Sequence, residues 1–196
     1  MSRGEIFVGM AAVIAALGGP MSPIAVADTP AALTSNKAFA ISSGAFADGG
    51  LMSLKYTGSL HDCRGVDISP PLAWRNAPAG TRSFAVTLFD VDGRIGLGVV
   101  HWVVYGIPSD VMTLKEGAGA APGAGFVAGM NTRNSPRYAG PCPPPGASLH
   151  HYIFTVYALD LGPGSLRQGL SRDGLLSAMN GHILGESSIV ARFARK

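Results

Sequence analysis

The chain is poor in charged residues and in cysteine, and these shortages exclude several classes of protein. Charged residues make up 14% of the 196, and the formal net charge at pH 7 is +3. No basic run with interleaved aromatic residues occurs, so no nucleic-acid partner is expected. P-loop, dinucleotide-binding and HExxH motifs are absent, and residues 185–189 lack the second glycine of a nucleophile elbow. We therefore predict no cofactor.

What the chain does contain favours one folded, loop-rich domain with much β structure. Apolar residues make up 47%, and there are 27 glycines and 14 prolines. Alternating apolar residues predict strands at 83–90, at 101–105, at 150–160 and at 187–193. Prolines at 70 and 71 make residues 68–74 an extended edge strand. Asp173 is the predicted N-cap of a helix that ends at Gly185.

The first residues have the pattern of a targeting segment. An apolar run over residues 6–17 follows Arg3, and small residues stand at Ala25 and Ala27. The run is shorter than the roughly 20 residues that a membrane span needs, so an uncleaved anchor is the less favoured alternative. We predict a signal peptide at 1–27, a flexible segment at 28–36 and a domain at 37–196. The mature chain would then have no integral membrane span and would be periplasmic or secreted.

Two cysteines, Cys63 and Cys142, lie in the predicted mature chain. An even count in an oxidising compartment predicts one disulfide bond between them. Two unpaired, buried thiols are the alternative.

Carboxylates and an imidazole meet at the ends of two predicted neighbouring strands. Asp90 and Asp92 close the first strand, and His101 opens the second on the face of Val103. This arrangement indicates a site, with a polar hairpin tip as the alternative. The spacing of these residues and His150 matches no known metal frame, so no metal is predicted.

Four segments of the chain also carry a resemblance to a known family. They are Asp-Ile-Ser-Pro-Pro-Leu-Ala-Trp at 67–74, Pro-Ala-Gly-Thr-Arg-Ser-Phe-Ala-Val at 78–86 running into Asp-Val-Asp at 90–92, His-Trp-Val-Val at 101–104, and the stretch 138–152. Their order and spacing resemble the phosphatidylethanolamine-binding protein family, also called the Raf kinase inhibitor protein family, in its bacterial exported branch.

The resemblance implies a mainly β fold, a β-sandwich of two antiparallel sheets with a small C-terminal helical component. It also implies a small pocket for anions such as phosphate or a phospholipid headgroup, and it supports the Cys63–Cys142 disulfide. Carried over position by position, the implied ligand-binding residues are Asp90, Asp92, His101, Tyr138, Pro143, Pro144, Gly146, His150 and Tyr152. The chain departs from the family's D-P-D-x-P pattern, because Arg94 stands where a proline is usual; its side chain would either bind the ligand or point to solvent.

The predicted function is that of an exported, non-enzymatic protein that binds a small anionic or phosphorylated ligand. Inhibition or modulation of a protein partner, such as a protease or kinase, is the alternative. A hydrolase or lyase that uses Asp90 and His101 as acid and base is a third reading, and it lacks an identifiable nucleophile. Homodimer formation is left open by the sequence.

Overall fold

A computed structural model describes residues 38–60, 62–120 and 125–195. The predicted signal peptide and the predicted flexible segment at 28–36 lie outside the described residues. In the part that is described, no helix has the length and apolar character needed to cross a membrane.

The described chain forms two β-sheets and one α-helix. A six-stranded sheet has the strand order β2-β9-β8-β4-β5-β7, and a three-stranded sheet has the order β1-β3-β6. Neighbouring strands are antiparallel, except that the short β2 runs parallel to β9. The elements are β1 (Ala40–Ser42), β2 (Gly50–Leu51), β3 (Leu72–Arg75), β4 (Ser83–Asp90), β5 (Val99–Pro108), β6 (Thr113–Leu114), β7 (Val127–Ala128), β8 (His150–Leu159), α1 (Arg172–Met179) and β9 (Ile183–Phe193).

Each face of the large sheet covers an apolar core. Alternate residues of β4 point to opposite faces, so Phe84, Val86 and Leu88 enter one core while Ala85 enters the other. The first core includes Trp74 of the small sheet, and the second includes residues of α1 such as Leu175. The predicted β-sandwich with a small C-terminal helix is confirmed.

Two local predictions were wrong. Ser171, not Asp173, is the N-cap of α1, and its hydroxyl accepts a hydrogen bond from the backbone N–H of Gly174 at 3.1 Å. The helix ends at Met179 and a turn through Gly181, whose φ is +80°, leads into β9 at Ile183, which pairs with β8. Pairing with a ten-residue strand therefore overrides the helical spacing of the apolar residues in this stretch.

The strand after the prolines was also assigned wrongly to an edge. β3 begins at Leu72, after Pro70 and Pro71, and lies between β1 and β6 in the middle of its sheet. The prolines precede the strand, so they remove no hydrogen bond from its ladder.

The predicted disulfide is present. Cys63 and Cys142 are bonded with their Cα atoms 5.6 Å apart, and they are separated by 79 positions. The loop around Cys63 packs closely on the segment around Cys142, since a Cβ added at Gly140 would lie 2.3 Å from the backbone carbon of Thr57. The disulfide therefore joins two loops that are already in contact.

Candidate functional site

A β-bulge brings His101 to the same side of the sheet as Asp90. Leu88 pairs with Trp102, but the next residue, Phe89, pairs with Val100, so His101 is the extra residue of β5. The bulge breaks the period of two, and the His101 ring packs against Tyr152, a residue of the first core. The predicted shared face of His101 and Val103 was therefore wrong, because Val103 belongs to the second core.

Asp90, which is 3% exposed, is the hub of the buried polar residues. Its Oδ1 accepts hydrogen bonds from the backbone N–H groups of Asp92 at 3.0 Å and Gly93 at 3.1 Å. Its Oδ2 lies 2.8 Å from Nδ1 of His150, which donates to it, and 4.0 Å from Nε2 of His101. Three donors thus compensate the cost of burying the charged carboxylate. In return, the carboxylate fixes the first residues of the loop after β4 and orients the His150 ring.

His101 is held as a neutral imidazole with its lone pair on Nε2. Its Nδ1 donates to the carbonyl oxygen of Ala139 at 2.6 Å, because a carbonyl can only accept. Burial lowers the pKa of His101 from 6.5 to about 4, and the hydrogen bond to Ala139 and the Asp90 charge oppose this only in part. Its Nε2 is buried and makes no hydrogen bond within the described residues. The role of the Ala139 carbonyl was missed from the sequence, because a backbone atom has no side-chain signature.

Tyr152 supplies a second buried polar atom without a hydrogen bond. Its hydroxyl makes no well-aligned hydrogen bond in the described part of the chain, although the Asp90 carboxylate lies close to it. The ring centroid lies 5.4 Å from that of His101 and 6.2 Å from that of His150. Burial, together with the nearby Asp90 charge, raises the pKa of Tyr152 well above its ordinary value, so the hydroxyl is a donor at neutral pH. Asp90, His101, His150 and Tyr152 are called the buried polar cluster below.

Asp92 does not belong to this cluster. Its carboxylate accepts hydrogen bonds from the backbone N–H of His151 at 2.7 Å and from the ring Nδ1 of His151 at 2.9 Å. Both side chains are substantially exposed. Burial raises the pKa of Asp92, but these hydrogen bonds outweigh it, and the net pKa is lowered. Asp92 therefore fastens the loop after β4 to the start of β8.

The remaining predicted site residues lie on the segment that follows β7. The hydroxyl of Tyr138 donates to the carbonyl of Tyr56 at 2.8 Å, so its donor points away from the cluster. Pro143 is buried, whereas Pro144 and Gly146 are exposed. Two hydrogen bonds between Ala139 and His101 join this segment to the cluster: the ring Nδ1 of His101 donates to the Ala139 carbonyl at 2.6 Å, and the Ala139 N–H donates to the His101 carbonyl at 3.0 Å.

The buried polar cluster is almost closed to solvent, and the His150 side chain, 10% exposed, is its most accessible member. Its four side chains belong to residues that are at most 7% exposed. Clefts of about 820, 450 and 360 Å³ lie elsewhere on the described surface, and none of the three is lined by a residue of the cluster. Within the described residues, no three His, Cys, Asp or Glu side chains come together as a metal site.

Comparison with known proteins agrees with this architecture. The family model described as phosphatidylethanolamine-binding protein matches residues 42–194. A UPF0098 protein of Methanothermobacter thermautotrophicus is 39% identical over 154 residues, which cover 77% of this chain and 95% of the relative. A UPF0098 protein of Aquifex aeolicus is 39% identical over 137 residues, 69% of this chain and 80% of the relative.

Two solved structures share the fold. YbcL of Escherichia coli, described as a member of the mammalian PEBP family, aligns with a TM-score of 0.75 and 31% identity over 81% of this chain and 99% of YbcL. CT736 of Chlamydia trachomatis, described as a putative PEBP homologue, aligns with a TM-score of 0.69 and 32% identity over 81% of this chain and 99% of its own. The chain belongs to the phosphatidylethanolamine-binding protein family.

Proposed function

We propose that this protein is an exported, non-enzymatic binding protein, and that its buried polar cluster takes up a small anion such as phosphate or a phospholipid headgroup. The observation that carries the proposal is the pair of buried, unbonded polar atoms, Nε2 of His101 and the hydroxyl of Tyr152. A buried polar atom without a hydrogen bond costs about 1–3 kcal/mol, and a ligand that pairs both atoms would recover much of that cost.

The two atoms differ in what they offer a ligand. The Tyr152 hydroxyl donates a hydrogen bond directly to an anionic oxygen. Neutral His101 presents a lone pair, because its hydrogen is held on Nδ1 by Ala139. An anion oxygen can therefore pair with Nε2 only when a proton is added, either to the ring or as a P–O–H group of the ligand.

Binding of an anion should therefore be linked to the uptake of a proton. Sulfate carries no proton near neutral pH, so the proton must enter the His101 ring. We expect its affinity to fall by about tenfold for each pH unit between the pKa of His101 in the free protein, about 4, and its higher pKa in the complex. A phosphate monoester, whose second pKa is about 6, brings its own proton under mildly acidic conditions. Its affinity should accordingly decline less steeply near pH 6 than that of sulfate.

The residues of the cluster support binding over covalent chemistry. Of the groups that could attack an ester, the Asp90 carboxylate is already held by three hydrogen-bond donors, and the Tyr152 hydroxyl stays protonated because its pKa is raised. A phosphate ester added to the protein should accordingly keep its ³¹P signal unchanged with time.

The test is an NMR titration of the ring protons of His101 and His150 with O-phosphorylethanolamine, inorganic phosphate and sulfate, at pH 6 and at pH 8. We expect saturable shifts at pH 6 that weaken at pH 8, most strongly for sulfate. Tyr152→Phe, which removes the unbonded hydroxyl, should weaken binding by about tenfold. Tyr157→Phe is the matched control, because Tyr157 belongs to the opposite core.

The proposal fails if neither histidine responds in the folded protein at either pH. It also fails if Tyr152→Phe binds as tightly as the parent chain. A difference between O-phosphorylethanolamine and inorganic phosphate would show whether the site distinguishes the ethanolamine end.

Export is supported by the sequence pattern at 1–27 together with the disulfide between Cys63 and Cys142. Expression of the full chain in a bacterial host, followed by fractionation and mass measurement, tests it. A periplasmic or secreted product that begins at Asp28 is expected, and a cytoplasmic product of full mass would contradict it.

A further inference from the structure

A second, positively charged cleft lies on the helix side of the large sheet. It has a volume of about 450 Å³ and is bordered by the loop after β4, by the loop around Thr132 and by the start of α1. Phe89 and Val100, which are paired across β4 and β5, line it. Leu88, which precedes Phe89, and its partner Trp102, which lies beyond the bulge at His101, both point into the first core. This cleft and the buried polar cluster therefore occupy opposite faces of the sheet.

Two arginines line the cleft, and one of them, Arg172, has a carboxylate within 4 Å. The Arg172 guanidinium lies over the Phe89 ring, with its Cζ 4.3 Å from the ring centroid. Its Nε is buried without a hydrogen bond in the described part of the chain, and its Nη1 is 3.8 Å from the Asp173 carboxylate, whose side chain is 93% exposed. Arg94 is exposed, and no carboxylate among the described residues pairs with it.

Neutral donors stand beside the arginines. The Thr132 Oγ1 accepts a hydrogen bond from the backbone N–H of Val100 at 2.8 Å, which leaves its own hydroxyl hydrogen available. The Asn134 side chain also lines the cleft and makes no hydrogen bond within the described ranges. The cleft therefore offers two permanent cations and two neutral donors against one carboxylate, that of Asp173, which is exposed and also lines it.

We propose that this cleft binds the phosphate group of a phosphate ester, with Arg172 and Arg94 as charge partners and Thr132 as a neutral donor. Guanidinium groups match the oxygens of a phosphate by paired hydrogen bonds and stay charged across the physiological pH range. Stacking on Phe89 holds the Arg172 group in place before a ligand arrives, which lowers the entropy lost on binding. Leu97, 77% exposed at the rim, provides apolar surface for the organic part of an ester.

The cleft can be separated from the buried polar cluster by pH, because arginine stays charged at pH 8, whereas His101, with a pKa of about 4, is then neutral and cannot donate from Nε2. We would titrate the ¹⁵N-labelled protein with glycerol phosphate at pH 8 and follow the backbone amides of Val100 and Thr132. The ring protons of His101 report the other site in the same samples. Saturable shifts of the two amides are expected at pH 8, and they should weaken as salt is added.

Charge-neutral variants supply the decisive comparison. Arg172→Gln should weaken binding by about tenfold, and Arg94→Gln, at a more exposed position, by about threefold. Arg172→Lys should restore part of the loss. Arg75→Gln, on the other sheet and outside the cleft, is the matched control and should bind like the parent chain. The proposal is overturned if the amides do not shift, or if a folded double variant of Arg94 and Arg172 binds glycerol phosphate unchanged.

A sedimentation assay distinguishes the two sources of the phosphate group. Vesicles of phosphatidylcholine with and without phosphatidic acid would be mixed with the protein and with the double variant. Sedimentation that needs both phosphatidic acid and the two arginines assigns the cleft to a lipid phosphate. Binding of glycerol phosphate without sedimentation assigns it to a soluble ester, and the absence of both overturns the proposal.

Discussion

His101 makes the free energy of unfolding depend on pH in a window set by its burial. The pKa of the folded state, about 4, lies below the ordinary 6.5, so between these values the unfolded chain binds a proton that the folded chain does not. The contribution of neutral His101 to stability is therefore fully present above about pH 6.5 and is lost as the pH decreases toward 4. The gap of about 2.5 pH units corresponds to a loss of about 3 kcal/mol at most, of which about 2 kcal/mol is lost by pH 5.

The carboxylates affect stability in a lower pH range than His101 does. The pKa values of Asp67 and Asp92 are lowered from 3.8: burial opposes the shift, and hydrogen bonds from Ser59 and Gly140 to Asp67, and from His151 to Asp92, outweigh it. Their stabilising contributions are present above pH 3.8 and are lost only below it. The stability lost between pH 6.5 and pH 5 is therefore due to protonation of histidine and not to these two carboxylates.

Urea unfolding followed by tryptophan fluorescence at several pH values between 7 and 5 measures this slope. His101→Asn is the informative variant, because the Asn amide can replace Nδ1 as the donor to Ala139 and does not titrate. We expect its stability to change less between pH 7 and pH 5 than that of the parent chain, by about 2 kcal/mol. His182→Asn, at an exposed position bonded to Asp160, is the matched control. Equal slopes for the parent chain and His101→Asn would refute the assignment.

Further predictions concern the disulfide and one glycine. Replacing both Cys63 and Cys142 with Ser should lower the free energy of unfolding by about 4 kcal/mol, because the bond closes a loop of 79 positions. If reduction of the disulfide in the parent chain left the urea midpoint unchanged, this prediction would be contradicted. Gly98→Ala should cost about 2–3 kcal/mol, since φ is +83° and the new Cβ would lie 2.0 Å from Cζ of Phe89. Gly96→Ala has a similar φ of +84° and open space around the Cβ, so it should cost about 1 kcal/mol; equal losses in the two variants would show that the Phe89 contact is unimportant.

The sequence alone was sufficient for the features that depend on local pattern. The apolar alternation at 83–90 corresponds to β4, and residues 150–160 contain β8, because a period of two determines which side chains share a face of a strand. The cysteine pairing was also predictable, since the chain holds two cysteines. The family motifs placed Asp90, His101, His150 and Tyr152 together, and the structure brings these four into contact.

Tertiary structure decided the features that depend on pairing between distant residues. The bulge that turns His101 toward Tyr152 arises from the register between β4 and β5, which the period of either strand does not contain. The tautomer of His101 depends on the carbonyl of Ala139, 38 positions away. The pairing of Asp92 with His151 and of Arg172 with Phe89 likewise follows from how separate loops pack. Residue types and spacing therefore determined the strands and the candidate site, whereas the direction and protonation of each site residue were determined by contacts that exist only in the folded chain.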